Sequence, residues 1–253
     1  MIGQVLEWLN DPAHWRNIGP YTGIRTQLAT HVGYCLIALF FGALIAVPLG
    51  LWIGHTGRAK WIVSAANALR AIPTVGLLIL LVVMIAPHFT GRTSAGFLIP
   101  TLIVLVILAI PPLLAGTYSG IDNVDDDVRD AAYGMGMTGR SVLRKVELPN
   151  ALPLIFSGLR SAALQVIATA TIAAYVTLGG LGRFIYDGLA QQDYPQMIGG
   201  GVLVAGLALV TDILLAIIQR YVVSPGVSGR FRRVTASDQK ASADPTELAL
   251  ELS

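Results

Sequence analysis

Charge is what this sequence has least of. Only 13% of its 253 residues are Asp, Glu, Lys or Arg, about half the share of a soluble domain. So few charges cannot cover a water-facing surface, and with 54% hydrophobic residues most of that surface must meet lipid. A single cysteine, Cys35, sits inside an apolar run, which excludes a disulfide framework and a thiolate metal cluster. The four histidines, His14, His31, His55 and His88, form no i, i+4 pair and no H-E-x-x-H, so no metal site is expected. G-x-S-x-G is absent, which removes one mark of a serine hydrolase. G-x-x-x-x-G-K-[ST] is absent too, so this chain carries no Walker-type ATP site. A formal net charge of +2 is too small to suggest a nucleic-acid partner. The first thirty residues lack the basic and apolar regions of a cleaved signal peptide, and none is expected. No internal repeat or soluble domain is visible.

What is present is a series of long apolar runs. A helix needs roughly 20 apolar residues to cross a bilayer. Val32–Ile53 is the first such run, and Trp61–Pro87 the second, interrupted by Arg70. Either Arg70 reaches toward the near surface, or residues 61–70 lie in the interface and the span begins near Ala71. Thr93–Ile121 is the third run, Ser161–Gly182 the fourth, with its start near Leu154, and Gly199–Val223 the fifth, containing Asp212. The expectation is an all-α integral membrane protein of about five transmembrane helices.

Five spans place the termini on opposite sides. Arg58, Lys60, Arg129, Arg140, Arg144, Lys145, Arg220, Arg230, Arg232, Arg233 and Lys240 fall on one side, against Arg16, Arg25, Arg92 and Arg183 on the other. The basic excess predicts a cytoplasmic C-terminus and an external N-terminus. Residues 1–27 then form an extracytoplasmic segment and 28–223 the transmembrane domain. Residues 224–253 form a cytoplasmic tail without a sustained apolar face, expected to be disordered or a frayed helix.

The longest hydrophilic stretch between spans, residues 122–150, holds two misleading patterns. Gly134, Gly136 and Gly139 spell G-x-G-x-x-G, but a dinucleotide site needs a preceding strand and a parallel sheet. Asp122, Asp125, Asp126 and Asp127 resemble a calcium loop without its glycine and terminal glutamate; acids that begin a helix explain them better. The stretch reads as a helix over about Asp125–Met135, a glycine-rich break, and a short helix to about Glu147. Leu148-Pro149 is expected to stop that helix before re-entry at Pro153. Ala131, Ala132 and Gly136 are small enough to permit close approach by another protein, although an amphipathic linker explains the composition as well.

At these residues the chain resembles the permease subunits of bacterial ABC importers. Their signature is E-A-A, a glycine, and I-x-L-P at fixed spacing, matched here by Asp130, Ala131, Ala132, Gly136, Val146, Leu148 and Pro149. Asp for Glu and Val for Ile preserve charge and apolarity. Ala71-Ile72-Pro73-Thr74, Ile110-Pro111-Pro112, Ser157-Gly158-Leu159-Arg160 and Leu178-Gly179-Gly180-Leu181-Gly182 resemble the subgroup that serves glycine betaine, carnitine and choline. Methionine-type permeases share a similar glycine stretch. The resemblance implies a type I importer permease fold whose loop 122–150 forms coupling helices that insert into a cytoplasmic ATPase dimer. It also implies a second permease copy or paralogue and an extracytoplasmic substrate-binding protein. ATP and Mg²⁺ belong to the ATPase; no cofactor is expected on this chain, which is not itself an enzyme. Localisation in a bacterial inner membrane follows.

Several polar residues within spans carry two readings. Asp212 must face the bundle and find a partner, in either a structural or a transport role. Arg70 and Arg160 pair or reach the interface, or serve as gates. Residues 183–195 look like an interfacial helix. Gly50/Gly54 and Gly116/Gly120 have the spacing of close helix contacts, with partners the spacing does not identify. Pro48, Pro73, Pro100, Pro111 and Pro112 kink spans or merely distort them. An ion-coupled secondary transporter is the main alternative; it predicts more spans, a repeat and more intramembrane carboxylates. An intramembrane enzyme would need a nucleophile or metal set that is not visible, and a structural scaffold would not need the loop signature.

Overall fold

The computed structural model describes residues 1–17, 22–89 and 94–223; the tail at 224–253 and Arg92 lie outside the described residues. The elements are α1 (Ile2–Asn10), α2 (Ile24–Thr56), α3 (Trp61–Ala68), α4 (Thr74–Ile85), α5 (Ala95–Asp122), α6 (Asp126–Gly134), α7 (Gly139–Val142), α8 (Leu148–Ala170), α9 (Gly182–Gln191) and α10 (Tyr194–Val222). Among the described residues, four stretches are long and apolar enough to cross a membrane: Ile24–Thr56, Ala95–Asp122, Gly139–Val176 and Tyr194–Val222. The bent pair Trp61–Ala71 and Thr74–His88 supplies a fifth if taken as one span.

That pair turns through 89°, at a place where sequence offered two readings. A 3-10 turn tightens Leu69–Ala71, and Ile72 then becomes extended with ψ 125°. Proline disfavours the helical state for the residue before it, and here Pro73 takes effect. Pro48, Pro100, Pro111 and Pro112 instead sit inside continuous helices. Arg70 therefore stands at an elbow.

Two other boundaries depart from expectation. Helix α2 begins at Ile24, not Val32, so a division at 27/28 falls inside it. Its polar first turns remain helical because Gln27 and His31 are buried against a turn described below. Leu148-Pro149 does not stop the loop helix. A π turn over Leu143–Glu147 joins α7 to α8, and the backbone amide of Leu148 reaches the Leu143 carbonyl. This wider turn admits Pro149, whose ring would clash in a regular helix. The side-chain amide of Asn150 donates to the Val146 carbonyl at 2.8 Å.

Small residues set the central packing. Gly50 and Gly54 of α2 face Thr117 and Ile121 of α5; a Cβ on Gly50 would lie 2.7 Å from Thr117 Cβ. Gly116 and Gly120 of α5 face Gly158 and Ala151 of α8. Lipid offers no hydrophobic drive between helices, so such close backbone approach supplies the packing. A Cβ on Gly158 would come within 2.6 Å of the Pro112 carbonyl oxygen, and no side chain there can rotate away. Gly158→Leu is expected to eliminate the monodisperse protein peak in detergent chromatography. Gly206→Leu, at a position with nothing within 4 Å, should leave that peak intact.

Candidate functional site

The first region is the end of the bundle formed by residues 122–150. Asp125 begins α6 by accepting from the Asp127 amide at 3.0 Å, and Asp126 and Asp127 occupy the first turn, where acids favour the positive helix end. The chain reverses at Gly136, whose φ of +80° favours glycine. Asp130, Ala131 and Gly136 are exposed, whereas Val146, Leu148 and Pro149 are half-buried. Ala132 departs from the reading of an exposed small residue: it is only 2% exposed, because it faces inward from α6. The accessible apolar surface belongs instead to Val128, Tyr133 and Met135, the last 76% exposed. Apolar side chains in an acidic, water-facing stretch were the available signal for this patch.

A buried carboxylate holds the loop to the helices. Glu147 is 1% exposed; its Oε2 lies 2.7 Å from His55 Nδ1 and its Oε1 3.0 Å from Arg129 Nε. Arg129 Nη2 donates to the Ile121 carbonyl, and its Nη1 lies 3.4 Å from Asp126 Oδ1. One carboxylate thus joins the end of α2, helix α6 and the π turn. Sequence reasoning treated His55 as scattered and Glu147 as a helix end. An acid placed between Val146 and Leu148, at the start of a span, was the signal. Nearby, Lys60 Nζ donates to Asp122 Oδ1 at 3.0 Å. The bond to Asp122, then the Tyr118 side chain, holds the Lys60 ammonium above its ordinary pKa.

The second region lies within the spans. Arg160 Nε and Nη2 donate to the two carboxylate oxygens of Asp212, each at 2.8 Å. This bidentate pair ties α8 to α10 and gives these two charges their partners. Arg70 does not join them, and among the described residues it forms no ion pair. It lines a cleft of about 320 Å³ with Ser119 of α5 and Ser157, Ser161 and Gln165 of α8, over a floor that includes Gly116 and Gly158.

The opposite end is closed by the glycine-rich turn after α8. Thr177 adopts φ 64° and Gly180 φ 112°. The Gly180 amide donates to Gln27 Oε1 at 2.6 Å, and the Leu181 amide to His31 Nδ1 at 3.3 Å. His31 Nε2, 3.0 Å from the Ile167 carbonyl, must then carry the ring proton. The helix α9 occupies most of the stretch read as interfacial. With α1 it frames a pocket of about 390 Å³ lined by Trp8, His14, Arg16, Arg183, Phe184 and Asp187.

Comparison with known proteins gives concordant findings. The family model described as "Binding-protein-dependent transport system inner membrane component" matches residues 46–228. The glycine betaine/carnitine/choline transport system permease protein OpuCB of Bacillus subtilis (strain 168) is 32% identical over 200 residues, covering 79% of this chain and 88% of that protein. The osmoprotectant import permease protein OsmW of Salmonella typhimurium (strain LT2) is 31% identical over 198 residues, covering 78% of this chain and 90% of the relative. Among solved structures, an inward-facing MetNI methionine ABC transporter chain aligns with TM-score 0.66 at 22% identity, over 79% of this chain and 96% of its own length. That likeness concerns the fold.

Proposed function

Because this chain belongs to the family of binding-protein-dependent transport system inner membrane components, we propose that it is the multi-pass permease subunit of an ATP-binding-cassette importer for an osmoprotectant such as glycine betaine, carnitine or choline. The observation that carries the solute class is the extent of its similarity to a betaine/carnitine/choline permease, which spans 88% of that relative. The methionine alternative has a likeness of fold behind it, at 22% identity.

The excess of basic residues supports a cytoplasmic position for loop 122–150. In that orientation Val128, Tyr133 and Met135 form the contact with a cytoplasmic ATPase dimer, which holds ATP and Mg²⁺. Asp130, Ala131 and Gly136 shape the exposed turn of the same loop. Ala132 is buried on α6, which packs on α7 and the π turn, and Val146, Leu148 and Pro149 continue that turn into α8. Closure of the ATPase dimer displaces α6, and the Glu147 contacts carry that displacement to α2 and α8. A second permease, identical or paralogous, completes the pathway beside the cleft of Arg70 and the α8 serines. The N-terminal segment and α9 face the extracytoplasmic side, where a substrate-binding protein delivers solute. Arg160 and Asp212 neutralise one another and act structurally.

The test is reconstitution of the chain with its ATPase and binding protein in liposomes, followed by uptake of labelled glycine betaine, choline and methionine. ATP-dependent accumulation of betaine or choline supports the proposal. Accumulation of methionine alone would move the chain to the amino-acid class, and ATP-independent, ion-driven uptake would overturn the importer reading.

A further inference from the structure

Helix α8 is unusual for a membrane helix on one face. Ser157, Ser161 and Gln165 follow one another at four-residue intervals, and both serines are exposed on this chain. Residues four apart lie on the same side of a helix. Hydroxyl and amide groups turned to hydrocarbon are disfavoured, so this face meets water, solute or protein. These residues line the cleft into which the elbow between α3 and α4 brings Arg70. Ser119, on the same cleft, is three residues from the end of α5, while Pro112, also on it, is ten. At 1.5 Å per residue the cleft reaches about 15 Å up from the loop end. It lies at membrane depth, in the half nearer loop 122–150.

Its chemistry has one sign. Arg70 brings a permanent cation, and among the described residues no Asp or Glu lines the cleft. The neighbouring hydroxyl and amide groups can donate hydrogen bonds. Such a set attracts a carboxylate and repels a quaternary ammonium, which has no N–H and needs an anionic or aromatic surface. The volume, about 320 Å³, is at the lower end for small-molecule sites.

From this juxtaposition we infer that Arg70, Ser157, Ser161 and Gln165 form a carboxylate-recognising station on the solute pathway. The permease itself thereby favours zwitterionic osmoprotectants, which carry a carboxylate, over cationic choline. The inference rests on the importer reading above and adds a selectivity that does not come from the binding protein.

The test is ATP-driven uptake of glycine betaine and of choline by the reconstituted complex, comparing wild type with Arg70→Gln, Arg70→Lys and Ser161→Asp. Rates are normalised to assembled complex, and KM and kcat are separated. The binding protein is common to all samples, so its selectivity cancels from the change in the betaine-to-choline ratio. Arg70→Gln is expected to lower that ratio about tenfold, as for one lost charge-assisted contact, and Arg70→Lys to restore part of it. Ser161→Asp, on an exposed position, supplies a fixed carboxylate and should shift the ratio the same way even if Arg70→Gln fails to assemble. In a complex that carries betaine alone, new choline uptake by Arg70→Gln or Ser161→Asp has the same meaning. Equal loss of both solutes, an unchanged ratio, or a wild type that carries choline and not betaine would overturn the inference. A wild type that carries neither solute refutes the osmoprotectant reading, and the station with it.

Discussion

Met135→Glu should strip the ATPase from this chain while leaving the chain in the membrane. Met135 is 76% exposed on the loop reversal, beside Tyr133, and among the described residues nothing covers it. Burial of such a side chain in a partner's groove contributes about 1.5–3 kcal/mol. A carboxylate there forfeits that gain and adds a desolvation cost, so ATPase affinity should fall at least about thirtyfold, with ATP-dependent uptake abolished. Co-purification of the ATPase and uptake in the same membranes measure both. Retention of the ATPase at wild-type stoichiometry would remove this patch from the interface. Two substitutions that sequence alone suggests, Gly136→Trp and a charge at Ala132, are poorer probes. The first forces a side chain onto a φ of +80°, and the second buries a charge at a position 2% exposed. Either would deform the loop whether or not it docks.

Glu147→Ala is expected to cost about 3 kcal/mol of stability, because it leaves the half-buried Arg129 with only the exposed Asp126 carboxylate, 3.4 Å from its Nη1. Its thermal midpoint in detergent should fall well below that of His55→Ala, since the His55 side chain keeps 22% exposure and can be rehydrated. The double substitution Glu147→Leu with Arg129→Met should be milder than Glu147→Leu alone, for removing both charges leaves none stranded. A double variant no more stable than the single would mean that the carboxylate does not anchor the loop.

The long uncharged runs made the spans legible, since bilayer thickness fixes how many apolar residues a crossing needs. The glycine pairs announced close contacts, although only three-dimensional packing assigned Gly50 to Thr117 and Gly116 to Gly158. Asp212 had to find a partner; that the partner is Arg160, fifty-two residues away, is not encoded in any local pattern. Prolines were least readable. Pro73 breaks its helix and Pro111 does not, because the outcome depends on whether the preceding backbone can leave the helix. Glu147 escaped notice for a related reason: its role comes from His55 and Arg129, which meet it only when three helix ends converge.

The π turn at Leu143–Glu147 lets one helical rod run from Gly139 to Val176, thirty-eight residues or about 55 Å. Such a rod is stiff along its axis. Along it, the end near Gly139 is connected to the glycine turn clasped by Gln27 and His31 with no non-helical break. The two ends of the molecule are therefore mechanically joined through this one element. The rod leaves regular α geometry near both ends, at the π turn Leu143–Glu147 and in the 3-10 segment Thr171–Val176, so its stiff part is the stretch between them.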